Sequence, residues 1–335
     1  MTTLTTREAI GLVLAEEMTR DPKVVYLGET IRDIGATGAS RGLFDQFGPA
    51  RIIETPVSEN GFFGAALGLA LSGFSPVIEI YSADFALIVA NEIINDFPKW
   101  RQQQRHYGPL PVTIRGWMGA SGGLGPEHSQ CMEAYFHHAP GLTVIAPGTM
   151  TDMAGLLRSA IRSSDPVLFL EHRRIYEMSG VYPANADYCI EIGCGEIIRD
   201  GIDITMVAWS HMRHVALEAA QNLENESISV EVIDPKTIKP MDYSLIAASV
   251  EKTGRLIVIE ESPLTGSIGG EIVARMVEGV DRGMVATRVA MPDMIHPYSA
   301  SMEKQILPDS DLVIKASKKL INSRAIGAIT KNPFL

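Results

Sequence analysis

Short β-rich apolar runs alternate with helical stretches along most of the chain. This alternation dictates mostly parallel sheets with helices packed on both faces. The runs at 24–27, 51–54, 77–81, 112–115, 142–146 and 167–171 form a first set. Between them, helical patterning falls on 6–19, on the latter part of 55–73, on 85–100 and on 152–162. A second set has strands at 204–208, 229–233, 256–259 and 287–290, with helices at 214–223, 243–252, 270–278 and 310–321. The less regular stretch 177–196 separates the two. For 335 residues the expectation is an α/β protein of two domains, residues 1–185 and 186–335.

Local signals sharpen parts of this pattern. Thr5 followed by Glu8 makes a capping box ahead of Ile10, Val13, Leu14 and Met18. Gly61, Gly64 and Gly68 share one helix face. Each glycine weakens a helix by about 1 kcal/mol relative to alanine, so such a face suits a place where another backbone comes very close. Residues 29–41 and the glycine-rich stretch 116–130 read as loops.

Charge and cysteine usage exclude several classes. Acidic residues outnumber basic ones, 40 to 29, for a net charge of −11. Such a surface repels nucleic-acid phosphates and anionic membranes. Cys131, Cys189 and Cys194 form no CxxC pair and read as reduced thiols, neither a disulfide framework nor a metal knot. The first residues lack a basic stretch followed by an apolar one. No apolar run approaches the roughly 20 residues that span a bilayer. The expected location is the cytoplasm.

Four stretches together carry a family resemblance. They are TPVSENGFFGAALGLALSGFSPVIEI (55–80), GLGPEHSQCMEAYFHHAPGLTVIAPGT (123–149), AIRSSDPVLFLEH (160–172) and VIDPKTIKPMDYSLIAASVEKTGRLIVIEE (232–261). In order and spacing the chain resembles β subunits of the thiamin-diphosphate-dependent, decarboxylating component of 2-oxo acid dehydrogenases, of the pyruvate, branched-chain and acetoin type. The resemblance covers almost the whole chain. It implies a thiamin-diphosphate-binding, pyrimidine-type domain followed by a transketolase C-terminal-type domain. It also implies an α₂β₂ assembly with thiamin diphosphate at the α–β interface, its diphosphate held through Mg²⁺ by the α partner. The sequence agrees with that division: it has neither a Gly-Asp-Gly segment with its later asparagine nor a Walker loop.

The resemblance also implies roles for particular residues. Glu59 matches the glutamate that hydrogen-bonds N1′ of the aminopyrimidine and promotes the tautomer that deprotonates the thiazolium C2. Judged by cap chemistry alone, Ser58, Glu59 and Asn60 instead read as a helix cap. Phe85 matches the aromatic residue packed on the aminopyrimidine; by itself it reads as a core phenylalanine. Nearby Ile88 departs from the polar or aromatic residue common in relatives. His128 matches a histidine facing C2 that assists acyl transfer to a lipoyl group, and histidine is suited to proton exchange at neutral pH. Alone it reads as a loop residue. Val112, Ala160, Ile161, Ser163 and Asp165 match a segment that holds potassium in several relatives, with Ser163 replacing an aspartate; a plain turn is the other reading.

His138 matches a family histidine before Pro140 and Gly141, with a structural role. His106, His172, His211, His214 and His296 have no spacing that suggests ligation. The segment from Asp234 to Pro240 matches a strand-to-loop joint that serves subunit contacts and acyltransferase docking; by itself it reads as a turn fixed by two prolines. Trp117 and Met118 stand where many pyruvate-directed relatives have Pro-Asn, and are expected to reshape the entrance.

The implied reaction is decarboxylation of a 2-oxo acid, with the acyl group passed to a lipoyl acyltransferase or an acyl carrier protein. Two other readings stay open. One is a split transketolase-like ketol transferase; the other is a non-catalytic assembly subunit.

Overall fold

The computed structural model describes residues 2–323, apart from 34, 36, 105–107, 184, 186 and 282. His106 therefore lies outside the described residues. The alternating pattern folds into two large sheets, beside a two-stranded antiparallel one of Thr3–Thr5 and Ser179–Val181. The first runs, edge to edge, Thr237–Lys239, Thr143–Ile145, Val167–His172, Thr113–Met118, Ser75–Ser82, Val24–Glu29 and Ile52–Thr55. All its neighbours are parallel except the first pair. The second runs Val285–Met291, Arg255–Pro263, Ile204–Ala208, Val230–Asp234 and Glu196–Arg199, parallel but for its last pair. The two-domain α/β expectation with mostly parallel sheets is met.

Central strands are covered on both faces, which is why they read as unbroken apolar runs. Val24 to Leu27 and Val167 to Leu170 are essentially inaccessible. The helix Thr6–Arg20 starts at a complete capping box: Thr5 Oγ1 accepts the Glu8 N–H, and Glu8 accepts the Thr5 N–H at 2.8 Å. Its buried stripe of Ile10, Val13, Leu14 and Met18 packs on the helix Met150–Ile161. Each such side chain contributes roughly 1.5–3 kcal/mol of burial.

Two expectations need correction. The helix expected over 85–100 is broken into a 3₁₀ turn at Ala83–Leu87, a π-turn at Glu92–Asp96 and an α-helix at Phe97–Gln103. Pro98 explains the widened turn, because it has no N–H and its ring clashes with the carbonyl four residues back. The strand expected at 112–115 continues to Met118, so Trp117 and Met118 are buried strand residues and not loop residues. The glycine face is exposed within this chain: a Cβ on Gly64 or Gly68 would meet nothing within 4 Å.

The joint between the two halves is an intramolecular tie. Thr237–Lys239 extends the first sheet from the second half of the chain. Arg213 bridges Asp152 and Asp234 at 3.0 Å each, and Lys239 Nζ donates to the carbonyls of His137 and Ala139.

Candidate active site

Parallel strands point their carboxyl ends at one edge of the sheet, where loops collect functional groups. Glu29 ends Val24–Glu29, and its register partner Thr55 ends Ile52–Thr55. Glu59 opens the helix Glu59–Leu71 just beyond. Glu29 and Glu59 are each 8% exposed. Glu29 Oε1 and Thr55 Oγ1 are buried without a hydrogen-bond partner among the described residues. Burial first, and then the Glu59 charge, push the Glu29 carboxyl above the ordinary carboxylate range. Two adjacent carboxyls with no cation are costly unless something binds between or against them.

The cap reading of this segment finds no support. Ser58 makes no side-chain cap bond, and Asn60 Nδ2 donates to the Ile88 carbonyl at 3.1 Å. That bond joins the start of the Glu59 helix to the 3₁₀ turn carrying Phe85. The Phe85 ring stands edge-on to the His128 imidazole, centroids 5.3 Å apart. His128 also stacks at 24° on Trp117, centroids 5.9 Å apart, with Tyr81 edge-on to both. The fold thus brings Glu59, Phe85 and His128 to one edge, and adds Glu29, Tyr81 and Trp117.

The loop bearing His128 is fastened from two sides. Gln130 donates from its backbone and side chain to Asp84, beside Phe85, at 3.2 and 2.9 Å. Carboxylates of the second half accept its other backbone donors: Ala120 N–H reaches Glu261 at 2.7 Å, and Gly122 N–H reaches Glu303 at 2.8 Å. Gly119, Gly123 and Gly125 of this loop lie against protein, while Gly122 faces open space. Gly119 has φ +84, and a Cβ there would lie 2.2 Å from the His172 ring; one on Gly125 would lie 2.2 Å from Tyr298. They let the loop press against protein.

Sequence spacing gave no hint that His172, His211 and Cys131 meet. His172 stacks on His211 with centroids 5.0 Å apart. Cys131, His172 and Glu261 offer ligand atoms within 4.8 Å of one another. Their hydrogen bonds assign them another task. His172 Nδ1 accepts the Arg174 N–H, which leaves the proton on Nε2, 3.0 Å from Glu261. Glu261 therefore collects donors from His172, Ala120 and the Cys131 thiol, and latches the halves together. Burial alone raises a carboxyl; His172 and the Ala120 N–H outweigh it and hold Glu261 at about 2. Because the folded value lies below the ordinary one, the stabilisation is complete above about pH 4.5 and fades as pH falls toward 2. Glu261→Gln is expected to cost roughly 3 kcal/mol at pH 7 and progressively less on acidification, measured by denaturant unfolding across pH.

The segment matched to potassium is largely self-satisfied. Val112 O accepts the Val167 N–H at 2.9 Å, and Ala160 O accepts the Ser163 N–H at 3.1 Å. Ser163 Oγ and the Asp165 backbone bond each other, while the Asp165 carboxylate pairs with Arg101. Ile161 ends its helix, where carbonyls favour a cation.

This architecture defines a two-domain protein of the transketolase kind. Residues 2–178 match the transketolase pyrimidine-binding domain and 193–313 the transketolase C-terminal domain. The chain is 40% identical over 324 residues to the rice (Oryza sativa subsp. japonica) mitochondrial pyruvate dehydrogenase E1 component subunit beta-2, covering 94% of this chain and 86% of the relative. It is 40% identical to the mouse (Mus musculus) E1 β subunit, covering 95% and 91%, and 37% identical to that of Rhizobium meliloti (strain 1021), covering 95% and 70%. A solved structure described as a split-gene transketolase in an inactive β4 tetramer superposes with TM-score 0.78 at 27% identity, covering 95% of this chain and 98% of that one. The chain belongs to the β-subunit family of thiamin-diphosphate-dependent 2-oxo acid dehydrogenases. Among the described residues, no helix is long and apolar enough to cross a membrane.

Proposed function

We propose that this chain is the β half of a two-chain active site that decarboxylates a 2-oxo acid of the pyruvate class. The acyl group passes to a lipoyl arm or another acyl acceptor, such as a carrier protein. The observation that carries this reading is the pairing of buried Glu59 and Glu29 at the carboxyl edge, beside Phe85 and His128, in a chain of this family. The orphaned carboxyl oxygen on Glu29, and Glu59 without a hydrogen-bond partner among the described residues, fit a heterocycle that exchanges a proton there.

Thiamin diphosphate, when bound, would supply a carbon nucleophile for the 2-oxo group and a sink for the electron pair released with CO₂. Glu59 would hold a proton at a ring nitrogen of the cofactor, and its burial would keep water from competing. Phe85 orients the flat ring at little entropic cost. His128 moves a proton at the reacting end, its ring fixed between Trp117 and Phe85. An α chain in an α₂β₂ assembly supplies the Mg²⁺ and diphosphate contacts. The domains are taken as 1–185 and 186–335, and the location as the cytoplasm, although the rice and mouse relatives are named as mitochondrial. A potassium ion at Val112, Ala160, Ile161, Ser163 and Asp165 fits poorly, because Asp165 is engaged by Arg101; no step runs through it.

The test is CO₂ release from a panel of 2-oxo acids by the α–β mixture, with an artificial electron acceptor. Turnover is expected only when both chains are present. Ketol transfer between sugar phosphates without oxidative decarboxylation would instead favour the split-transketolase reading.

A further inference from the structure

Arginines with restricted exposure in the first half of this chain are paired. Arg7 meets Glu177, Arg115 meets Glu79 and Glu171, Arg158 meets Glu16, and Arg162 meets Glu17. Arg51 donates to the carbonyls of Val24, Met18 and Asp21. Arg173 is the exception. It opens the 3₁₀ turn Arg173–Ile175 at the carboxyl end of the strand Val167–His172, on the edge that carries Glu29 and Thr55. Its guanidinium lies 3.9 Å from the Trp117 ring centroid. Among the described residues no carboxylate or carbonyl accepts from it. The groups that influence it are Tyr176, whose hydroxyl is spent on Glu171, Tyr81, and the repelling Arg7.

An arginine does not shed its proton when half-buried, so its charge persists without a counter-ion. Leaving a cation desolvated and unpaired is costly, and a protein of net charge −11 has carboxylates to spare. The unmatched fork sits on Trp117, the ring that also stacks on His128, with Tyr81 a neighbour of all three. Guanidinium, indole and imidazole form one wall. A planar fork on such a wall suits bidentate capture of a carboxylate. The reaction proposed above requires an anionic carboxylate to enter this edge.

Resting on that reading, we propose that Arg173 binds a carboxylate of the 2-oxo acid substrate. The contact belongs to substrate binding, so its removal raises KM with little change in kcat.

The experiment compares wild type, Arg173→Gln and Arg173→Lys, each as α–β holoenzyme with an artificial electron acceptor. The substrates are a 2-oxo monoacid, a 2-oxo diacid and the aldehyde corresponding to the monoacid, which lacks the carboxylate. The Gln variant is expected to raise KM for the acids about ten- to hundred-fold, with partial recovery by Lys and no change for the aldehyde. A rise with both acids assigns the contact to the C1 carboxylate; a rise confined to the diacid assigns it to the distal one. An active wild type whose variants leave the acids unchanged, or weaken acid and aldehyde alike, overturns the proposal alone. A wild-type holoenzyme that turns over no 2-oxo acid overturns the functional reading and this proposal together.

Discussion

Glu59→Gln lowers turnover of the assembled enzyme by about 10²–10⁴-fold, the range for losing a positioned proton-transfer group. The fold should survive, because among the described residues the Glu59 side chain has no hydrogen-bond partner whose loss the substitution would bring. Glutamine keeps the shape and loses the exchangeable carboxyl. The check is kcat of the α–β mixture beside a denaturant unfolding curve. Unchanged unfolding with collapsed kcat separates chemistry from stability. A kcat within a few-fold of wild type would remove Glu59 from the catalytic account.

The second large effect lies below the site. Arg115 is fully buried and holds the carboxylates of Glu79 and Glu171, themselves 1% and 0% exposed. It contacts Glu171 at 2.7 and 2.8 Å and donates to Tyr26 at 2.7 Å. Tyr176 completes the network on Glu171 at 2.7 Å. Arg115→Met leaves two carboxylates buried without a cation, at an expected cost of about 3–5 kcal/mol, read as a lower denaturant midpoint. Arg115→Lys should fall between, since it keeps the charge and loses the fork. The network also positions the site: Glu79 precedes Tyr81 by two residues, Arg115 precedes Trp117 by two, and Glu171 precedes Arg173 by two.

Much of the scaffold is legible in the sequence because it rests on local physics. The Thr5–Glu8 capping box and the apolar period of the first helix need only neighbouring residues. The unbroken apolar runs announce strands covered on both faces. The break at 92–96 is legible from Pro98, whose ring and missing N–H oppose the helical period around it. The site is different. Tyr26, Glu79, Arg115 and Glu171 are far apart in sequence, and nothing in their spacing says that they share one buried network. The same holds for Cys131, His172 and Glu261, whose meeting depends on how the two halves pack. Glu59, Phe85 and His128 are marked by the family resemblance and not by local pattern, and the fold supplies the reason they share one edge. Nothing in the sequence marks Arg173, since an arginine after a strand is ordinary; its place on the Trp117 ring, with no carboxylate partner among the described residues, does.

The central claim is that the site is shared between two chains. Calorimetry of thiamin diphosphate with Mg²⁺ tests it most directly, using this chain alone and then with its α partner. The account predicts no measurable binding by the chain alone and saturable binding by the mixture. Tight binding by this chain alone would mean that it holds its own diphosphate site, and the shared-site account would fail.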